Sequence, residues 1–339
     1  MSPTEDDALS ALLTVMGGPQ LLEALVIAVE LDVPDRLAQG PRAAADLAAA
    51  SGAVPERLER LLRALTTVGM VEEPEPGLFA ATAATRMLQR DVPGSMRAMV
   101  RLRAAPFQQT ATAALRRGVL ERAAPFELAT GMPYFGWLAR HPEDAAVFDA
   151  GMTAMSGVFA PTLLAAIDLA STRVVMDVGG GQGRMLAGLL RAHPQLHGIL
   201  FDLPSVVARP VAPLTEPGLA ERVRIEGGDF FAGLPAGADA IVLSRILHDW
   251  GDQDCSRVLA SCRRALPEGG RLLIVEFVLV RGPMGVPAAL FDLHMMMLFG
   301  DARERSEAEY RALLAASGFR LDRVVAPAMA PNVVEAVAV

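Results

Sequence analysis

Asp177-Val178-Gly179-Gly180-Gly181-Gln182-Gly183 ends an apolar run at 174–178 and leads straight into a helical pattern at 184–192. A glycine-rich turn between strand and helix lets backbone approach a ligand closely, because no Cβ intervenes. The dinucleotide fingerprint G-x-G-x-x-G/A fits these glycines in no register without placing Arg184, Met185 or Leu186 at its last position, which disfavours NAD. An acid two residues before a G-x-G-x-G turn suits instead a ligand with an amino-acid end and no pyrophosphate. Its amino group can be held on the Asp177 side, and its carboxylate by the free N–H groups of the helix N-terminus.

Working outward, short β-rich runs alternate with helical ones beyond Pro161. The strand candidates are 174–178, 198–202, 223–228, 240–244, 271–277 and 333–337, and helices are expected at 184–192, 253–265 and 307–316. This alternation predicts an open, largely parallel sheet covered by helices. Ligands of such sheets sit beyond the carboxyl ends of the strands, near the switch point, so the residues after each strand are the ones that matter. The second run ends at Phe201-Asp202-Leu203-Pro204, 19 residues after Gly183, where a carboxylate can accept hydrogen bonds from two ribose hydroxyls. The third ends at Gly228-Asp229-Phe230-Phe231, which offers a carboxylate for an adenine amino group beside an aromatic face for the base. Singly, Asp177 and Asp229 also suit turn caps and Phe230 a core position. Together, in order and each after a strand, they favour a nucleoside site. The mildly Pro-rich stretch at 204–217 reads as a loop.

The fourth run continues into Ser244-Arg245-Ile246-Leu247-His248-Asp249-Trp250. The fifth ends at Val275-Glu276-Phe277, and Glu304 stands in Arg303-Glu304-Arg305-Ser306 before the last helix. Two carboxylates, Glu276 and Glu304, are thereby expected to reach the His248 imidazole, fixing its tautomer and stabilising the imidazolium. A general base of this kind typically contributes about 10²–10⁴-fold. Against a phenol of pKa about 10, an ordinary histidine of about 6.5 takes the proton only as the new bond forms. Met152, Met155, Met295, Met296, Met297 and Phe299 are candidates for a dry apolar pocket, although adaptable core filling explains about half of such methionines. His193 and His197 are spaced like a metal pair, but Pro194 makes a surface loop the better reading, and with no H-E-x-x-H motif no metal is expected.

Up to about residue 160 the chain is Ala/Leu-rich, with helical spacing at 21–31 and 58–68 and no strand followed by a glycine turn. Helical 44–50, a break at Ser51-Gly52, helical 55–68 and a hairpin-like piece to Phe79 resemble a winged helix-turn-helix. Acids are interspersed among Arg57, Arg60 and Arg63, and the net charge is −8, so the module reads as structural or dimerising rather than DNA-binding. The domains expected are 1–160 and 161–339. The chain contains no lysine, which excludes Schiff-base chemistry and the P-loop lysine. Cys255 and Cys262 lack a second pair and read as packing residues. The acidic MSPTEDDALS start and the absence of an unbroken apolar run of about 18 residues point to a cytoplasmic enzyme with small-molecule partners, without membrane or nucleic acid.

DVGGGQG at 177–183, FDLP at 201–204, GDFF at 228–231, LHDW at 247–250 and RERS at 303–306 resemble, in order and spacing, the motifs of the caffeate and hydroxyindole type of plant and bacterial natural-product O-methyltransferases. The resemblance covers nearly the whole chain. It implies an α/β fold: a Rossmann-like class I methyltransferase domain with a mostly parallel sheet, and an N-terminal all-α dimerisation domain containing a winged helix. It implies S-adenosylmethionine as cofactor, S-adenosylhomocysteine as product, and a homodimer formed through the N-terminal domain. Gly179, Gly181, Asp202, Leu203, Asp229 and Phe230 would line the cofactor with Ser244 beside them. His248 would be the base, and Glu276 and Glu304 its orienters. The acceptor pocket would map onto Phe148, Met152, Met155, Arg245, His294 and Met295. Gly300-Asp301-Ala302 departs from the two adjacent glycines usual there, and a Trp common in the N-terminal domain is absent around Gln108.

The function expected is methylation of a phenolic or other aromatic hydroxyl of a secondary metabolite. The rival enzyme keeps the cofactor site but performs a decarboxylation, hydroxylation or pericyclic step. Such relatives often lack the base, so His248 with both glutamates favours transfer. A winged-helix regulator that binds DNA and senses a nucleoside is the more distant alternative, disfavoured by the acidic charge.

Overall fold

The computed structural model describes residues 4–121, 123–208, 214–282, 285–327 and 330–339. Residues 209–213 of the Pro-rich stretch lie outside these. The chain divides into two compact units, Met1–Gln109 with Leu138–Val158, and Thr110–Trp137 with Phe159–Val339. The segment 110–137 thus joins the second unit, where a boundary near 160 assigned it to the first. The reason is packing: the short helix Pro125–Thr130 rests on the helix Val286–Phe299. Phe126 and Tyr134 meet edge-on at 4.9 Å, and Tyr134 meets Phe299 at 5.5 Å.

In the first unit, the helix Pro55–Thr66 buries Leu58, Leu62 and Leu65, one stripe at helical spacing, while its arginines face solvent. The stripe packs with Leu47 and Ala48 of the helix Ala44–Ser51 and with Phe79. Gly52, at φ 76°, closes that helix in the left-handed conformation glycine adopts without strain. The strands Val71–Glu75 and Leu78–Ala81 pair antiparallel, and Arg42–Ala43 adds a third strand to the latter. The expected helix, break, helix and hairpin are all present. Arg63 is paired with Glu59 and Glu73.

The second unit is built on a seven-stranded sheet. Its strands are β1 (Val174–Val178), β2 (His197–Asp202), β3 (Val223–Gly227), β4 (Ala240–Ser244), β5 (Arg271–Glu276), β6 (Phe319–Val325) and β7 (Asn332–Ala338). Their spatial order is β3-β2-β1-β4-β5-β7-β6; the first five are parallel, and β7 and β6 are antiparallel additions at one edge. The β6 strand was missing from the sequence reading. It alternates buried Phe319 and Leu321 with exposed Arg320 and Asp322, the pattern of a half-buried edge. Away from their ends the central strands β1, β4 and β5 are apolar because helices cover both faces. Met176, Ile241 and Ile274 pack on the side of the helices Asp252–Ala265 and Glu307–Ala316, while Val175, Val242 and Leu273 pack on the side of the helix Arg184–Ala192. Successive strands are added to one side of β1 and then, from β4 on, to the other, and this switch point puts the ends of β1, β2 and β4 at one crevice.

Candidate active site

Asp177 is buried at the end of β1, and neither carboxylate oxygen has a hydrogen-bond partner. Burial pushes its carboxyl up to about 7; the Leu186 amide, which approaches without completing a hydrogen bond, opposes this, and the Asp202 charge adds to the rise. A Cβ on Gly180 would lie 2.6 Å from Asp177 Oδ2, so the turn passes over the carboxylate only as glycine. Gly179 (φ 68°) donates its N–H to the Phe201 carbonyl at 2.8 Å, tying the turn to β2. A Cβ there would lie 2.4 Å from Ile246 Cδ1. Gly183 caps the helix Arg184–Ala192 without a side-chain acceptor.

At the end of β2, Asp202 accepts the Gly181 N–H at 2.8 Å through one oxygen and the Leu203 N–H at 2.7 Å through the other. Each oxygen keeps a lone pair for a diol. At the end of β3, Asp229 accepts the Phe231 N–H at 2.8 Å, so it does cap a turn, with Oδ2 left over. Phe230 is half-buried against Phe231 and Trp250, edge-on at 4.7 and 6.2 Å. Ser244 ends β4. These residues fit a cationic amino-acid nucleoside: an orphaned buried carboxylate for an ammonium, an open helix N-terminus for a carboxylate, and Asp202 for a ribose.

His248 sits in a single 3₁₀ turn, Leu247–Asp249, just beyond β4. Arg245, at φ 56°, makes the left-handed bend that leads into it. The imidazole is buried; Nδ1 lies 2.8 Å from Glu304 Oε1, and Nε2 lies 3.4 Å from Asp249 Oδ1. Burial disfavours a charged ring, but the charges of Asp249, Glu304 and Glu276 outweigh it and push the pKa up to about 9. Burial also raises Glu304, to about 7, against the pull of the imidazole, and its Oε2 has no partner. Asp249 rises to about 6 by burial, opposed first by His248. Glu304 reaches the ring because Arg305–Ser306 pairs parallel with Val278–Leu279, the short strand that continues past β5.

Glu276 departs from the expected role. Its Oε1 accepts the backbone N–H groups of Ile246, Leu247 and His248 at 3.1, 2.6 and 3.2 Å, and its Oε2 accepts the Tyr310 hydroxyl. No hydrogen bond joins it to the imidazole; it holds the turn, whose amides, with the Tyr310 hydroxyl, satisfy a fully buried carboxylate. The sequence reading also missed Arg305, although it lies inside the quoted RERS motif. Nothing local distinguishes a buried arginine from a solvated one. Of the residues implied for the acceptor, Arg245, His294 and buried Met295 belong to the second unit, and Phe148, Met152 and Met155 to the first. The second unit also holds two aromatic pairs, Phe135 stacked on Phe299 at 5.2 Å and Phe291 tilted against Phe277 at 4.7 Å.

The chain matches the O-methyltransferase domain family over residues 110–320 and the O-methyltransferase dimerisation domain over residues 13–91. It is 38% identical over 327 residues to phenazine O-methyltransferase PhzM of Lysobacter antibioticus, covering 96% of this chain and 95% of that one. It is also 38% identical over 299 residues to 8-amino-8-demethylriboflavin N,N-dimethyltransferase of Streptomyces davaonensis, covering 87% and 85%. Among solved structures, CalO1, a methyltransferase in calicheamicin biosynthesis crystallised with SAH, superposes with a TM-score of 0.90 at 34% identity over the full length of both chains.

Proposed function

The chain belongs to the O-methyltransferase family and uses S-adenosylmethionine; from that premise we propose that it methylates a phenolic or other aromatic hydroxyl of a secondary metabolite, with His248 as general base. The observation that carries this reading is the His248–Glu304 contact of 2.8 Å, buried at the strand ends that present Asp177, Asp202 and Asp229. In the proposed assignment Asp177 takes the cofactor's ammonium, Gly179, Gly181 and Leu203 bring backbone against it, and Asp202 takes the ribose. Asp229 and Phe230 receive the adenine, with Ser244 beside them. When bound, the cofactor supplies an electrophilic methyl group on a cationic sulfur.

Glu304 holds Nδ1, which leaves Nε2 to accept a proton from the acceptor. The carboxylates that raise the ring to about 9 bring it close to a phenol of pKa about 10, a better match than an ordinary histidine of about 6.5. The same charges keep the resting ring protonated at neutral pH, so kcat/KM is expected to rise as pH passes from about 7 towards 9. Transfer from a cation to a hydroxyl disperses charge, and an apolar surround favours it. Such acceptors are small, which fits an acidic chain of net charge −8. We place the enzyme in the cytoplasm, and assign the first unit to homodimer formation rather than to nucleic acid or membrane.

The test is incubation with label in the transferable methyl group, against a panel of phenols and arylamines. Labelled O-methyl products are expected. Conversion without label, or label on amines alone, would refute hydroxyl methylation. His248→Ala is expected to keep cofactor affinity in calorimetry and lose about 10²–10⁴-fold in turnover. Unchanged turnover would remove His248 as the base.

A further inference from the structure

The turn that carries His248 is three residues long, too short to hold itself by its own hydrogen bonds. Its polar groups are held instead from both ends by buried charges. At the amide end, Glu276 collects three backbone N–H groups and is itself fastened by the Tyr310 hydroxyl. At the carbonyl end, the Arg305 guanidinium, fully buried, donates through Nη1 to the Leu247 carbonyl at 3.0 Å and through Nη2 to the Trp250 carbonyl at 2.9 Å. Its Nε and Nη2 are anchored on Asp252 at 3.0 and 2.8 Å. The Arg303 amide takes the His248 carbonyl at 2.9 Å. The Leu247 carbonyl also accepts the turn's own Trp250 N–H at 3.2 Å and the Cys255 thiol at 3.2 Å, and a carboxylate on the N–H groups and a guanidinium on carbonyls each match the sign of the turn's peptide dipoles.

We propose that Arg305 and the Tyr310–Glu276 pair are positioning residues of the catalytic base, clamping the turn at its carbonyl and amide ends so that His248 Nδ1 meets Glu304. The inference rests on the reading of His248 as base. It separates two roles that the sequence assigned alike: Glu304 acts on the ring, and Glu276 acts through backbone. It also gives Arg305 a task that burial alone does not explain. A buried guanidinium is costly unless its donors are used, and here they are spent on the carbonyls flanking His248. Arg305 neighbours Glu304 in sequence, so one two-residue strand places the ring's partner and the turn's clamp together.

Arg305→Lys keeps the charge but loses the planar fork, and Tyr310→Phe removes one neutral hydroxyl, so neither changes the local charge around His248. The charged groups around the ring, Asp249, Glu304 and Glu276, with Arg245 behind Asp249 and Asp292 behind Glu304, are left in place. The chain has five histidines, so ring resonances of labelled protein can be followed singly and His248 assigned by its loss in His248→Gln. Expected in both variants are unchanged cofactor affinity, a His248 titration lowered by about one pKa unit or more towards 6.5 as the Glu304 contact loosens, and turnover lowered by about 10²-fold. A titration and turnover within twofold of the parent in both variants would overturn the proposal. So would cofactor affinity lost in parallel with turnover in both, since the clamp would then serve the fold alone. If Arg305→Lys alone loses cofactor binding, Tyr310→Phe decides by the same readings. Parent-like variants alongside an inactive His248→Ala leave the base in place and remove only the clamp.

Discussion

At the scale of single residues, the site trades stability for a ready charge. Asp177 is buried without a donor, and its folded-state pKa of about 7 lies above the ordinary 3.8. The unfolded chain therefore gives up this proton first, and folding stability falls as pH rises from about 4 to about 7, the loss persisting above. Asp177→Asn is expected to raise stability above pH 7 by roughly 1–3 kcal/mol in chemical denaturation, less at pH 4, while weakening cofactor binding at least tenfold. Destabilisation at pH 8 would mean that a partner satisfies the carboxylate. His248 shows the opposite sign: its raised pKa favours the folded state below about 6.5, an advantage lost as pH climbs through about 9. Asp177 and His248 were both visible in the motifs. The direction of their charge shifts was not, because it depends on burial and on acids that come from other strands.

At the scale of elements, the site is assembled from strand ends and the first turns after them, and local chemistry marks those junctions. Ser306 caps the helix Glu307–Ala316 with a capping box closed by Glu309, whose carboxylate accepts the Ser306 N–H at 2.8 Å. Ser306→Ala is expected to cost about 1 kcal/mol in thermal or chemical unfolding. Because Ser306 follows Arg305 in the two-residue strand beside Val278–Leu279, turnover should fall more than cofactor affinity. Wild-type stability would show that the cap is redundant. The helices 184–192 and 307–316 and the strands β1 and β4 were legible to the residue, since glycine, capping serine and apolar runs are local signals. β6 and the helix Val286–Phe299 were not. The first is a charged edge strand, and the second is apolar on all sides, so its run carries no helical period to read.

At the scale of the whole molecule, the first helix presents an apolar stripe to solvent at the edge of the dimerisation domain. The helix Glu5–Met16 has no buried residue, and Leu9, Leu12, Leu13 and Met16 lie along one stripe, each more than half exposed. A second copy is the expected cover. Leu9→Glu with Leu12→Glu and Leu13→Glu should convert a dimer to monomer in light scattering, with the cofactor affinity of the second unit retained; a variant that stays dimeric would place the interface elsewhere. The sequence by itself determined the alternation of β1 to β5 with helices, the glycine turn and the row of acids that follow it, because these depend on neighbours a few residues apart. Only the tertiary structure decided that 110–137 packs with the catalytic unit, that Glu276 serves backbone while Glu304 serves the ring, and that Arg305 is buried beneath the base. Each of these depends on contacts between segments about 30 to 60 residues or more apart, and the free energy of burying a charge has no local sequence signature.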